Sequence, residues 1–419
     1  MKRSLPHLFV GAALAAFAAT GAERFEAAAL VDSFDFAGVK DRAGRLLFDT
    51  ETAGGNEAVL GHVLLTGATT ILWRNCGGAT MRYQSREERS PLVQAPLDKR
   101  RLPDNRPVCG WLRYYEAEPD ILRHMLGVCR ARGLNAGVHW PFEETHWASW
   151  TFGAWNFEHP QYWGVTVKGQ VWGGRCSLAY PEVVEHKLRL ADELLSRGMD
   201  HLFVDTWRTG GWSPEYEYVE PHKARWRQAF RSEPPEDAKD PRWCAFVAET
   251  QHAYFVALKQ RLALSGRKVR LLLGVSEVGL PGGAPDATLL TRGVDWRRLV
   301  DERVVDAVVV MSVNWERGRP WESTRDIYRG VRGFCEGKCQ ILFPVQMYDF
   351  TKRGIPSYAA ATGLPAHEVA GRLLRLAWEE RADGICMECV DFNNYPPAAC
   401  AEMRRLLDGP CRLKNETAQ

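Results

Sequence analysis

A chain of 419 residues, 45% of them hydrophobic, is long enough to bury a large core, and its formal net charge of +2 creates no field that would draw it to nucleic acid or an acidic membrane. No basic stripe appears along it, so nucleic acid is excluded as an expected partner. No solenoid repeat, low-complexity tract or clear linker divides it, and aromatic side chains are plentiful, with 16 Trp.

Residues 1–22 read as separate from the fold. Lys2 and Arg3 give a positive start, 8–19 is a short apolar run, and Thr20-Gly21-Ala22 offers small residues for cleavage. That is the layout of a secretory signal peptide, which implies export to the periplasm or beyond. The apolar run falls short of the ~20 residues a membrane span needs, so no membrane contact is expected after cleavage.

Eight strand candidates follow in chain order: 28–31, 70–73, 135–139, 201–204, 269–275, 307–311, 340–345 and 384–387. Most are β-branched or continuously apolar, as strands buried on both faces should be. Helical patterns alternate with them at 57–65, 120–131, 181–196, 246–264, 296–300, 324–334 and 365–381. Pro181 suits a first helical position, and Glu182 and Glu185 suit the positive end of that helix. Gly67, Gly133 and Gly198 stand at helix-to-strand junctions, where a left-handed residue can close the helix. The short connections are thus the helix-to-strand ones, and the long loops (76–118, 141–180, 207–240 and 276–293) follow the strands. This asymmetry predicts a (β/α)8 barrel, an α/β fold with long loops on the carboxyl face of its strands. A doubly wound sheet would call for a glycine-rich phosphate loop after the first strand, and none is present. One barrel domain is expected over 23–412, with a polar, frayed tail at 413–419.

The 11 Cys leave at least one thiol without an intramolecular partner. Cys386 and Cys389 have zinc-like spacing, but on an extended strand they would point to opposite faces, so a metal reading is discounted. Cys335 and Cys339 flank a Gly-Lys turn and are the best local disulfide candidates, with free thiols as the alternative.

In a parallel barrel the chemistry gathers at the carboxyl ends of the strands. The residues there are Asp32 and Asp35; Arg74 and Asn75; His139, Trp140, Glu143 and Glu144; Asp205, Trp207 and Arg208; Ser276 and Glu277; Ser312, Asn314, Trp315 and Glu316; Gln346, Tyr348 and Asp349; and Glu388, Asp391 and Asn393. Carboxylates, amides, Arg and Trp on one rim describe a carbohydrate site. Cleaving a glycosidic bond needs two carboxyl groups, one to protonate the leaving oxygen and one to attack or to activate water. Asp205, at the end of Leu202-Phe203-Val204, is the first choice for nucleophile or base, and Arg208 could hold it ionised. Glu277 is the expected acid, with Glu388 in reserve. Arg74, Asn75, His139, Trp140, Trp207, Arg208, Asn314 and Trp315 are expected to bind sugar, and Trp147, Trp150, Trp155, Trp163 and Trp172 to form a stacking wall. No cofactor or metal is required. His139, Glu143 and His146 lack an H-E-x-x-H arrangement, and no G-x-S-x-G elbow is present.

Three segments carry a family resemblance. Met199-Asp200-His201-Leu202-Phe203-Val204-Asp205-Thr206-Trp207-Arg208, Val294-Asp295-Trp296-Arg297-Arg298-Leu299-Val300 leading to Val305-Asp306-Ala307-Val308, and the helix entering Ala382-Asp383-Gly384-Ile385 resemble the family-10-like glycosyl hydrolases across 28–408. The resemblance implies a (β/α)8 barrel, hydrolysis of polysaccharide and a catalytic Asp at Asp205. The family's proline-methionine-x-tyrosine pattern after the sixth strand is replaced here by Val310-Met311-Ser312-Val313-Asn314-Trp315. Two other readings stay open: a carbohydrate-binding barrel without catalysis, and a metal-dependent deacetylase or amidohydrolase.

Overall fold

The computed structural model describes residues 23–32, 36, 39, 47–50, 52–74, 76–77, 80–81, 83, 85–87, 120–141, 154–206, 213–275, 293–311, 313, 315–316, 318–346, 354–388 and 397–414. Eight parallel strands close into a barrel: β1 (Glu26–Val31), β2 (Thr70–Arg74), β3 (Asn135–Pro141), β4 (His201–Asp205), β5 (Arg270–Val275), β6 (Ala307–Val310), β7 (Gln340–Gln346) and β8 (Gly384–Glu388). Each strand pairs with its neighbours in chain order, and β8 closes the ring on β1 through Glu26↔Gly384 to Ala29↔Met387. All eight lie where the apolar runs predict them. The helices that alternate with them are α1 (Ala53–Val63), α2 (Ile121–Ala131), α3 (Pro181–Ser196), α4 (Pro241–Leu264), α5 (Trp296–Asp301), α6 (Pro320–Cys335), α7 (Ala366–Glu379) and α8 (Pro397–Asp408). The fold is a (β/α)8 barrel.

Local chemistry fixes the helix ends. Thr52 and Asp295 cap α1 and α5 by accepting from the Gly55 and Arg298 amides at 3.1 Å. Pro181, Pro241 and Pro320 open α3, α4 and α6, where a missing N–H costs nothing. Gly67, Gly133 and Gly198 take φ of 85°, 72° and 89°, the left-handed turn that ends a helix before its strand. The loops after β3 and β4 carry structure of their own: a hairpin of Trp163–Val165 with Val171–Cys176, and a helix at Glu220–Phe230.

Strand alternation sorts the side chains into two cores. Ala28, Leu30, Leu72, Phe203, Leu272, Ala307, Val309, Met311, Leu342 and Cys386 form a small cluster inside the barrel. The residues between them join the helices in the larger outer core. The lumen holds Phe203 because Gly274 is beside it: a Cβ there would meet the Phe203 ring at 2.9 Å.

Below this apolar layer, toward the amino ends of the strands, lies a polar one. Arg270 Nη1 donates to Glu26 across the ring at 3.1 Å and to His201 Nε2 at 2.7 Å, and its Nη2 bonds Gln340. Thr70 donates to Glu26 at 2.7 Å and Asn135 to Thr70 at 3.0 Å. His201 must accept from Arg270, so the ring is neutral there. Burial, then the Arg270 charge, pushes its pKa down to about 4 against the pull of Glu26, Asp200 and Asp306.

The structure bears on two expectations, the one for 413–414 and the one for Cys335 and Cys339. Leu413 and Lys414 are not frayed: Leu413 bridges Arg24, the Trp378 indole donates to the Leu413 carbonyl at 2.7 Å, and Lys414 pairs with Asp383 at 2.7 Å and with Glu23. These two residues tie the chain after α8 to the approach to β1. Cys335 and Cys339 are free thiols, with Cys335 pushed up by its hydrogen bond to Cys339 and by burial. Among the described residues no helix is long and apolar enough to cross a membrane. Residues 1–22 lie outside the described residues.

The depressed His201 pKa has a stability consequence. Below the ordinary value of 6.5 the unfolded chain takes up a proton that the barrel refuses until about pH 4. Stability from this residue is full above pH 6.5 and lost as pH falls toward 4, a change of about 3 kcal/mol. Urea unfolding across this window should show that loss, and His201→Gln should flatten the slope by one proton. An unchanged slope would place the titration elsewhere.

Candidate active site

The alternation that places Phe203 inside the barrel also turns Asp205 inward at the end of β4. It does the same for Arg74 after Leu72 on β2, for Glu388 after Cys386 on β8, and for Gln346 at the end of β7. Asp32 directly follows β1, and His139 stands beside Arg74 in the β2–β3 register. These residues form a polar ring capping the apolar lumen at the carboxyl ends of the strands.

The ring is tied together in pairs between neighbouring strands. Arg74 Nη1 reaches Asp32 Oδ2 at 2.5 Å, with both side chains at or below 10% exposure. His139 Nε2 lies 3.1 Å from Asp205 Oδ2, both buried, and its ring packs on Phe203 with centroids 5.2 Å apart. An ionised carboxylate can only accept, so the imidazole donates to it. Gln346 Nε2 donates to Glu388 Oε2 at 2.6 Å and also to the Met311 carbonyl, which fixes the amide. Thr206 donates to the Gly274 carbonyl at 2.7 Å, fastening the chain just beyond Asp205 to β5.

Asp205 and Glu388 end strands that are four apart in the ring of eight and therefore oppose each other across the lumen. Asp32 supplies a third carboxylate, engaged with Arg74. Two buried acidic groups facing one another over an apolar floor can serve as proton donor and acceptor to a molecule held between them.

The expected site residues divide as follows. Asp205, Glu388, Arg74 and His139 converge on this ring. Trp140 does not: next to inward His139 on the strand, it belongs to the outer core at 2% exposure, so it offers no stacking face to a sugar. Trp315 is half-buried, packed against Tyr358 with centroids 4.6 Å apart. Asn75, Trp207, Arg208, Glu277 and Asn314 lie outside the described residues, as do Glu143, Glu144, His146, Trp147 and Trp150. Within the expected tryptophan wall, Trp155 stacks on His186 at 4.0 Å and on His159 at 4.4 Å, and Trp163 donates to the Asn156 carbonyl at 2.7 Å. Both therefore help pack the loop, while Trp172 remains 47% exposed. The structure adds Asp32 and Gln346, whose signal in the sequence was their place at strand ends. Among the described residues no group of three or more His, Cys, Asp and Glu is placed to hold a metal ion.

No protein-family model matches the chain, and no curated protein matches it. Solved structures do. A β-galactosidase from the psychrophilic Marinomonas ef1 aligns with TM-score 0.53 and 11% identity, covering 91% of this chain and 59% of its own. An α-galactosidase from Thermus thermophilus gives TM-score 0.41 and 13% identity over 88% of this chain and 61% of its own. The spore cortex-lytic enzyme of Bacillus megaterium QM B1551 gives 0.43 and 9% over 92% and 74%. The chain thus spans about three-fifths of the length of the two galactosidases. At such identities the likeness is one of fold.

The Asp32–Arg74 contact should register as a coupling. In a double-mutant cycle of Asp32→Asn and Arg74→Met, read by urea unfolding, the two changes should be non-additive by about 1–3 kcal/mol. Additive effects would mean the pair does not act as a unit.

Proposed function

We propose that this protein is a glycoside hydrolase that cleaves an oligo- or polysaccharide between Asp205 and Glu388. The observation that carries the reading is the placement of these two inward carboxyl groups on opposed strands at the barrel mouth. Paired carboxyl groups about 5–10 Å apart are the requirement of glycosidic cleavage, by covalent attack or by activating water.

Asp205 is assigned as nucleophile or base. His139 donates to it, and a hydrogen bond to the charged form favours that form. Glu388 is assigned as acid, protonating the leaving oxygen. Gln346, held by the Met311 carbonyl, orients the Glu388 carboxyl group by donating to its Oε2. Arg74 and Asp32 lie next to His139 on the ring and would hold sugar hydroxyls. Glu277, the acid expected from sequence, keeps that candidacy beside Glu388. The galactosidase fold likeness and the family-10-like segments around Asp205 support the same reading, and export of the mature chain belongs to it.

The test is turnover on a panel of aryl glycosides and polysaccharides. Asp205→Asn and Glu388→Gln should each lower the rate by about 10²–10⁴ while thermal unfolding shows both variants folded. Turnover by either folded variant at the wild-type rate would remove that residue from the mechanism. A wild type inert on the whole panel would count against hydrolysis itself.

A further inference from the structure

The loops leaving β3 and β4, the strands of His139 and Asp205, meet again away from the lumen. The hairpin of Trp163–Val165 and Val171–Cys176 lies beside Pro214–Tyr218: Val165 bridges Glu217, and the Tyr218 amide donates to the Val165 carbonyl at 2.9 Å. Trp172 pairs with Gly164 across the hairpin. A Cβ on Gly164 would meet the Tyr216 carbonyl at 2.9 Å, so the glycine lets Tyr216 come close. The Trp172 and Tyr216 rings then sit 5.2 Å apart with a 31° tilt.

Trp172 of this pair is open to solvent, and Tyr216 is half-buried beneath it. Val167, Val171 and Trp172 expose 39%, 59% and 47% of their surface, an unusual concentration of apolar exposure for one short hairpin. Next to it is a cavity of about 610 Å³, whose polar lining includes Lys168, Gln170, Ser213, Glu215, Asp237 and Lys239. Both signs of charge and several amide and hydroxyl groups are present, which suits a neutral ligand rich in hydroxyls better than an ion of either sign.

The platform is rigid from below. Glu217, next to Tyr216, is fully buried and bonded by Arg175 at 3.2 Å, by Ser177 and by His222 at 3.2 Å. His222 Nε2 lies 2.9 Å from Thr250 on α4. Burial pushes the Glu217 carboxyl up, but the hydrogen bonds from His222 and Ser177 and the nearby charges more than offset this and hold it below the usual range. A buried ionised cluster thus pins the hairpin to the β4 excursion, so the backbone under the Trp172 ring is already ordered when a ligand arrives.

We infer that Trp172, Tyr216 and the adjoining polar cavity form a distal binding site for a polysaccharide chain, on the loops that also frame the barrel mouth. Indole faces stack on sugar C–H faces, and the surrounding amide, hydroxyl and charged groups bond the hydroxyls. The inference rests on the glycosidase reading for its ligand class and extends it: the substrate is a polymer held at a second point besides the one between Asp205 and Glu388.

The experiment is retention on insoluble cellulose, xylan, chitin and mannan by wild type, Trp172→Ala and Asp205→Asn, with turnover of short aryl glycosides and solution mass measured alongside. Wild type and Asp205→Asn should be retained by at least one polymer, and Trp172→Ala should be retained about tenfold less while thermal unfolding shows it folded. If no aryl glycoside or polysaccharide is turned over yet Trp172→Ala still loses retention, the distal site stands and the hydrolase reading falls. Equal retention of Trp172→Ala and wild type, or no retention of wild type, overturns the inference. So does a change in solution mass without a change in retention, which would make the patch a contact between copies of the chain.

Discussion

Everything at the mouth of this barrel depends on a two-residue period. Along each parallel strand every second side chain enters the lumen, and closing eight strands brings eight such series to one rim. Leu72 inside makes Arg74 inward; Phe203 does so for Asp205, and Cys386 for Glu388. No folding alternative that keeps the apolar cluster inside can point these polar residues elsewhere, because a one-residue slip would expel Phe203 and Leu72 together with Asp205 and Arg74. The same burial that stabilises the barrel therefore sets the polar ring.

Charges forced into a closed ring must be paired, and the barrel does this differently at its two ends. At the amino ends one arginine, Arg270, reaches Glu26, His201 and Gln340 on three other strands, so the network stitches the cylinder shut. At the carboxyl ends, contacts among the described residues include pairs between neighbouring strands: Asp32 with Arg74, His139 with Asp205, Gln346 with Glu388.

The barrel was legible because its strands are buried on both faces and so appear as unbroken apolar runs, while Gly67, Gly133 and Gly198 mark the helix ends by the φ they alone tolerate cheaply. Asp205 and Glu388 were legible for the same reason, as acids closing such runs. Trp140 was misplaced although the needed signal was present: it and His139 are adjacent on one strand and cannot share a face. The ion pairs were not legible. Asp32 and Arg74 are 42 residues apart, and His139 and Asp205 are 66 apart; only the register between strands brings them together. Trp155 read as a sugar platform because its cover, His186, comes from α3 and His159 from a separate turn. The closing helix α8 was not marked from the sequence although Ala399, Met403 and Leu406 give it an apolar face at helical spacing; it packs on α7 and on the turn at Leu64–Thr66.

The most direct test of opposed acids at one rim is a crystal structure with a hydrolysis product soaked into the barrel mouth. The account predicts a sugar ring on the carboxyl face, bonded on one side by Asp205 and on the other by Glu388, with the two carboxyl groups about 5–10 Å apart. A sugar bound away from that rim, or side chains from the loops filling the space between the two acids, would contradict it.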